Sequence, residues 1–204
     1  QGVYQLFHED QLVYIGKTDA QAGLRNRLSR HVHRIAQRPR LSGGVHFKAV
    51  RILVFTAMDL ETQLIAHYRA QGSVSWNGSG FGSNDPGRNR ETTNQDTDGF
   101  DASYPIDIDL PIDLLPPGPT RIADALARMK TALPYTLRYE TQRNPKGKAQ
   151  RGNPHPDLAA PAAMVNIPSP PQTVRQLMLL IKGALGTDWQ ATVFPSHVIL
   201  YKET

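Results

Sequence analysis

Two short alternating segments open the chain, Gly2-Val3-Tyr4-Gln5-Leu6-Phe7 and Leu12-Val13-Tyr14-Ile15-Gly16, with only the polar residues His8-Glu9-Asp10-Gln11 between them. Apolar residues alternating with period two favour half-buried strands, and so short a connection sends the second strand back antiparallel to the first. The N-terminal part is thereby committed to a β-hairpin that the following chain must cover. Leu24, Leu28, Val32 and Ile35 recur at i, i+4, i+8 and i+11, which predicts an amphipathic helix over about residues 22–37, ended by Arg38-Pro39-Arg40. A β-branched, alternating stretch from His46 to Phe55 predicts a third strand. Asp59 or a neighbour can cap a second helix in which Leu60, Leu64, Ile65 and Tyr68 share one face, completing a ββαβα unit.

Periodicity fails between Gln71 and Pro119. Ser73 to Gly82 is rich in Gly and Ser, Asn84-Asp85-Pro86-Gly87 spells a turn, and Arg90 to Gly99 is polar. Leu114-Leu115-Pro116-Pro117-Gly118-Pro119 reads as a linker, dividing a region 1–118 from a module 119–204. In that module Arg121 to Ala132 reads as a helix, Tyr135 to Glu140 as a strand and Asn144 to Pro156 as a basic loop rich in Pro and Gly. Thr173 to Leu185 reads as a helix capped by Thr173 and Gly186, and Trp189 to Phe194 with His197 to Tyr201 as a terminal hairpin. The expected class is α+β: a small antiparallel sheet flanked by helices, followed by a C-terminal α+β module.

Charge is distributed unevenly. Residues 1–70 carry ten Lys/Arg against five Asp/Glu, residues 71–120 two against eight, and residues 121–204 eleven against five. Two basic regions around an acidic stretch point to a polyanionic partner. The absence of cysteine excludes disulfides, thiolate zinc sites and cysteine nucleophiles. It also suits a bacterial cytoplasmic location. No apolar run approaches the length of a membrane span, and no N-terminal segment reads as a signal peptide, so no membrane partner is expected. The chain opens at Gln1 without Met, which leaves room for an upstream segment.

Arg25, Arg27, Arg30, Arg34, Arg38 and Arg40 fall in sixteen residues that contain no acid. Arg27, His31 and Arg34 lie at i, i+4 and i+7, a single helical stripe of repelling charges. Such crowding makes sense against an anion, and guanidinium forks match phosphate oxygens. Antiparallel pairing also brings Tyr4 and Tyr14 to one face of the hairpin.

These residues carry a resemblance. Gly2-Val3-Tyr4, Tyr14-Ile15-Gly16-Lys17 and Arg27-Leu28-Ser29-Arg30-His31 resemble, motif by motif, the GIY-YIG endonucleases. Leu60-Glu61-Thr62-Gln63-Leu64-Ile65 with Tyr68-Arg69 is similar to that family's second-helix motif, and Trp76-Asn77 to its closing asparagine. Val3 replaces the usual Ile, and the interval from Glu61 to Asn77 is longer than in repair members. Trp76-Asn77-Gly78 followed by Gly80-Phe81-Gly82-Ser83-Asn84-Asp85-Pro86-Gly87-Arg88 is similar to the Eco29kI-like type II restriction enzymes.

The resemblance implies a phosphodiesterase site. Tyr4 would be the general base, its phenolate favoured by Arg27, Lys17 and a metal. Tyr14 would position water or phosphate, Arg27 would clamp the scissile phosphate, and His31 would orient Tyr4 or share its proton. Glu61 would hold one divalent ion, Mg²⁺, and Asn77 would keep the site in register. Lys17, Arg30 and Arg34, with Arg88 and Arg90 on the loop, are the candidate DNA contacts. Lys146, Lys148 and Arg151 of the second module could reach DNA as well.

The function expected is a metal-dependent endonuclease on double-stranded DNA, a site-specific type II restriction enzyme, acting as a homodimer if its target is palindromic. Two alternatives stand beside it: a less specific nuclease in a toxin or mobile-element defence role, and a catalytically inactive module that binds nucleic acid. Asp107, Asp109 and Asp113, alternating with Ile108, Leu110 and Ile112, read as an exposed strand edge rather than a calcium site. His46, His67, His155 and His197 lack zinc-like spacing.

Overall fold

The computed structural model describes residues 2–18, 23–41, 43–51, 57–79, 81 and 99–203. Arg88, Arg90, the 84–87 turn and the end of the third expected strand lie outside the described residues. The chain is of mixed α+β class and divides into two compact units, Gln1–Pro105 and Ile106–Thr204. No helix among the described residues is long and apolar enough to cross a membrane.

The first unit is built on a three-stranded antiparallel sheet. Strands β1 (Gly2–His8) and β2 (Gln11–Thr18) form the expected hairpin, and β3 (Val45–Arg51) pairs with the other edge of β1. The hairpin connection is tighter than the four polar residues suggested, because His8 and Gln11 themselves pair. Glu9 and Asp10 both take positive φ, the conformation whose twist matches the flanking strands. Helix α1 (Gly23–Ile35) covers one face of the sheet through Leu24, Leu28 and Ile35, which pack with Tyr4, Leu6 and Val13. Helix α2 (Ala57–Ala70) covers the opposite face, its Leu60, Leu64, Ile65 and Tyr68 against Val3, Ile15 and Val74. Asp59 is the third residue of α2. A short helix α3 (Phe100–Ser103) completes the unit.

A β-bulge shapes the sheet face under α1. Leu6 pairs with Tyr14 but Phe7 pairs with Leu12, so Val13 is the inserted residue. Without it, period-two alternation would put Val13 on the face of Ile15. With it, Val13 and Tyr14 both serve the cluster around Tyr4.

The second unit contains β4 (Gly118–Arg121), α4 (Ile122–Ala132), β5 (Thr136–Tyr139), β6 (Thr141–Arg143), β7 (Ala149–Pro154), α5 (Pro156–Ala159), β8 (Met164–Ile167), α6 (Val174–Leu185), β9 (Trp189–Phe194) and β10 (His197–Lys202). Strand β10 lies centrally in a three-stranded sheet, parallel to β5 and antiparallel to β9. Strands β4 and β8 form a second small sheet, and β6 and β7 a third. Ile122, Leu126 and Met129 of α4 and Leu177 and Ile181 of α6 are almost fully buried against Leu137, Val198 and Leu200. Thr173 caps α6 in a reciprocal capping box with Gln176, and Gly186 takes φ +101 at its end, both at the positions the sequence marks.

Two expectations for this unit change. Residues 106–115 are neither an exposed strand edge nor part of the first region. Ile106, Ile108, Ile112 and Leu115 are buried in the second unit's core, and the one pairing there is an isolated bridge from Ile112 to Gln172. The contact boundary therefore falls at 105/106 and not at 118/119, because these side chains find their apolar partners in the second unit. The stretch from Asn144 to Pro156 is not wholly a loop, since β7 folds back on β6.

Candidate functional site

Tyr4 projects from the middle of β1 beneath α1 and is only 2% exposed. Its register partner on β2 is Gly16, while Tyr14 faces Leu6, so the two tyrosines are diagonal neighbours on one face. Their ring centroids are 6.1 Å apart. Gly16 makes this possible, because a Cβ there would lie 2.5 Å from both Cζ and Oη of Tyr4. The strand position thus demands glycine for space, with no unusual backbone angle involved.

From α1, His31 reaches down to Tyr4. The Tyr4 Oη and His31 Nε2 atoms are 2.6 Å apart, and His31 is buried to 7% exposure. Burial, followed by the guanidinium groups of Arg27 and Arg34, pushes the His31 imidazole down to about 4. A neutral imidazole has an acceptor nitrogen, so the Tyr4 hydroxyl donates and Nε2 accepts.

The same surroundings act oppositely on the phenols. Burial first, and then Tyr14, push Tyr4 well above the usual tyrosine range, and Arg27 offsets only part of this. Burial likewise raises Tyr14. The expectation that nearby cations favour a Tyr4 phenolate is therefore corrected for the protein alone: desolvation outweighs Arg27, and Tyr4 is a phenol bonded to a neutral base.

The His31 shift has a consequence for stability. Between its ordinary value of 6.5 and about 4, the unfolded chain binds a proton at His31 that the folded protein does not. Stability should fall as pH drops from 6.5 to 4, by on the order of 3 kcal/mol for this group, and this contribution should level off below. Urea unfolding across this window checks it, since His31→Gln should flatten the dependence.

Arg27 is half-buried, and its Nε is shielded from solvent with no hydrogen-bond partner among the described residues. A buried guanidinium donor without an acceptor is costly unless an anion arrives to accept from it. Arg34 acts electrostatically on both His31 and Tyr14. Arg30, one residue before His31, points to the exposed side of α1. Arg38 is taken out of the arginine face altogether. It is buried, pairs with Asp101 at 2.9 Å, bonds the Tyr104 carbonyl and lies 4.8 Å over the Phe100 ring. Its role is to latch the end of α1 to α3.

On α2, the carboxylate of Glu61 is 3.2 Å from the Lys17 ammonium. It also acts electrostatically on both tyrosines although α2 covers the other face of the sheet. Among the described residues no group of three or more metal-ligating side chains converges. A carboxylate is the hard oxygen donor that Mg²⁺ takes while keeping several waters, and Glu61 would have to exchange the Lys17 ammonium for the ion.

Asn77 works on the backbone. Its Oδ1 accepts from Ile15 N and its Nδ2 donates to Ile15 O, both at 2.9 Å. Val74 N and Trp76 N bond Leu12 O and Val13 O on the same strand. Residues 74–77 therefore close the open edge of β2, and Asn77 clamps the residue between Tyr14 and Gly16.

Sequence reasoning did not anticipate the wall beside His31. Phe81 stacks on the imidazole at 4.8 Å and meets Tyr14 edge-on at 5.0 Å. Trp76 and Phe100 pack behind it, and Phe100 is held by the Arg38 latch. Phe81 was legible only as part of a Gly-rich motif, since Tyr14 and His31, which it meets, lie far back in the sequence.

The structure thus gathers Tyr4, Tyr14, Arg27 and His31 in one cluster, brings Arg34 and Glu61 within electrostatic reach, and ties Lys17 to Glu61 and Asn77 to Ile15. Compared with known protein families, curated proteins and solved structures, the chain matches none.

Proposed function

We propose that the chain is a metal-dependent endonuclease of the GIY-YIG type, hydrolysing phosphodiester bonds in duplex DNA as a site-specific type II restriction enzyme. Strands β1, β2 and β3 with helices α1 and α2 would be the GIY-YIG core. One observation carries the reading: a buried phenol is hydrogen-bonded at 2.6 Å to a neutral imidazole, beside an arginine with an orphaned donor. Structural aromatic packing alone would call for neither the neutral imidazole acceptor nor the unsatisfied guanidinium.

In this reading a water molecule attacks the phosphorus. Tyr4 Oη accepts the water's proton as its own passes to His31 Nε2, so the phenol relays a proton without first becoming a phenolate. In the protein alone His31 is a weak acceptor because burial, and after it Arg27 and Arg34, disfavour its charged form. A phosphate between those arginines offsets them and makes His31 more basic. Substrate binding thereby switches on the relay. Arg27 gives its free Nε donor to a phosphate oxygen, and Tyr14 orients water or phosphate. Glu61 would hold one Mg²⁺, with Lys17 beside it, and the bound ion would neutralise phosphate oxygens and stabilise the leaving oxygen.

Incubation with supercoiled plasmids tests this. Wild type should give discrete fragments with Mg²⁺ and none with EDTA, and Glu61→Gln should lower the rate by on the order of 100-fold or more. Palindromic cut sites would predict a homodimer. A smear would favour the less specific nuclease, and no cleavage of any DNA would leave an inactive binding module.

A further inference from the structure

The ribbon of β6 and β7 is unlike the rest of the second unit. Its strands pair only with each other, and none of residues 141–154 belongs to the buried core. Its side chains are Thr141, Gln142, Arg143, Asn144, Pro145, Lys146, Lys148, Ala149, Gln150, Arg151, Asn153 and Pro154, with no acid and no large apolar residue. Two-stranded ribbons are marginal on their own, yet this one is held carefully at both ends. At the stem, Glu140 N bonds Leu200 O and His155 N bonds Glu140 O, tying it to the central strand. At the tip, Asn144 Oδ1 accepts from Lys146 N and Lys148 N, while Gly147 takes φ +73 and bonds back to Asn144 O.

Order is therefore built into a segment none of whose described side chains is fully buried, and its chemistry is of two kinds. Lys146 and Lys148 are exposed at the turn and pair with no carboxylate among the described residues. Arg143 pairs with Glu140 at 3.2 Å, and Arg151 adds a further charge to the ribbon. Interleaved with these cations are Gln142, Asn144, Gln150 and Asn153. Lysine and arginine neutralise phosphates, whereas arginine, glutamine and asparagine pair with base edges. A lipid surface would call for apolar or aromatic anchors, and the ribbon has none.

We propose that the β6–β7 ribbon is a DNA-binding element that lies in the major groove of duplex DNA, whose width admits a two-stranded ribbon. Lys146 and Lys148 contact phosphates from its tip, and the exposed Gln142 amide is offered to base edges, while Asn144 holds the turn and Asn153 donates to Gln150. The assignment rests on the ribbon's own chemistry and does not depend on the nuclease reading of the first unit. A-form RNA is a poorer partner, because its major groove is deep and narrow.

The test uses the full chain without divalent metal and a fluorescent duplex of mixed sequence, with affinity read by anisotropy over a series of salt concentrations. Lys146→Gln with Lys148→Gln should weaken binding about tenfold at moderate salt and reduce the slope of log affinity against log salt by about 2. Both side chains are exposed, so an unchanged thermal melt should accompany the loss. Arg128→Gln with Lys130→Gln on α4 removes the same charge from another exposed place and should change affinity far less. Equal weakening by both pairs, an unchanged salt slope, or tighter binding to duplex RNA than to DNA would overturn the assignment. Plasmid cleavage by wild type separates the two readings. Ribbon-dependent binding without cleavage sinks only the nuclease, and cleavage with a dispensable ribbon sinks only this proposal.

Discussion

A Tyr4→Phe protein should bind duplex DNA as wild type does and cut it about 10²–10⁴-fold more slowly, the range lost when a positioned acid–base group is removed. The substitution keeps the ring in the cluster with Leu6, Val13 and Trp76 and deletes only the hydroxyl that bonds His31. The cost to folding should be about 1–3 kcal/mol, because His31 Nε2 is left buried without its partner. Single-turnover cleavage with saturating enzyme isolates the chemical step, and anisotropy without metal isolates binding. Tyr14→Phe gives the contrast. That ring is held edge-on to both His31 and Phe81, so its loss should be the smaller if Tyr14 only positions water or phosphate. A Tyr4→Phe enzyme cutting at close to the wild-type rate would remove Tyr4 from the proton path.

Gly16→Ala should disable the same site without touching any polar group. The new methyl would stand 2.5 Å from the end of the Tyr4 ring and 2.8 Å from Tyr14 Cε1, far inside contact distance. Tyr4 is almost fully buried and cannot swing clear, so the phenol must shift relative to His31. A displacement near 1 Å costs about 10²-fold in rate, and overpacking a filled region costs about 1–3 kcal/mol of stability. Gly44→Ala is the matched control, since nothing lies within 4 Å of a Cβ there. Cleavage and urea unfolding read the two losses separately. An active Gly16→Ala enzyme would mean that the Tyr4–His31 distance is not critical.

The elements legible in the sequence are those whose signal is local. The hairpin alternates over a few residues, α1 repeats its leucines, and Thr173 and Gly186 mark α6 by chemistry at its own ends. What escaped depends on distant partners. Ile108, Ile112 and Leu115 stand among aspartates and prolines that mimic an edge and a linker, and only Gln172, which bonds Leu115 O and bridges Ile112, shows where they belong. The β6–β7 ribbon carries no apolar alternation, so periodicity could not find it. Arg38 looks like one more cation of a basic helix until Asp101 and Phe100 are seen beside it. In the candidate site, the identities of Tyr4, Tyr14, Arg27, His31 and Glu61 could be read by resemblance. The Val13 bulge, the Phe81 stack and the protonation of Tyr4 could not, because they follow from packing and burial.

The clamp on β2 also bears on how this protein ages. Asn77 is followed by Gly78, and a glycine leaves its backbone nitrogen unshielded for attack on the preceding side-chain amide, the reaction that converts asparagine to aspartate or isoaspartate. Here both ends of that amide are hydrogen-bonded to Ile15, so cyclisation has first to break two bonds. The clamp needs an amide, because a carboxylate could accept from Ile15 N but has no hydrogen for Ile15 O. The bonds that make β2 depend on Asn77 are thus the bonds that preserve Asn77. Opening of this edge would expose the chain to a covalent change that prevents it from closing in the same way again.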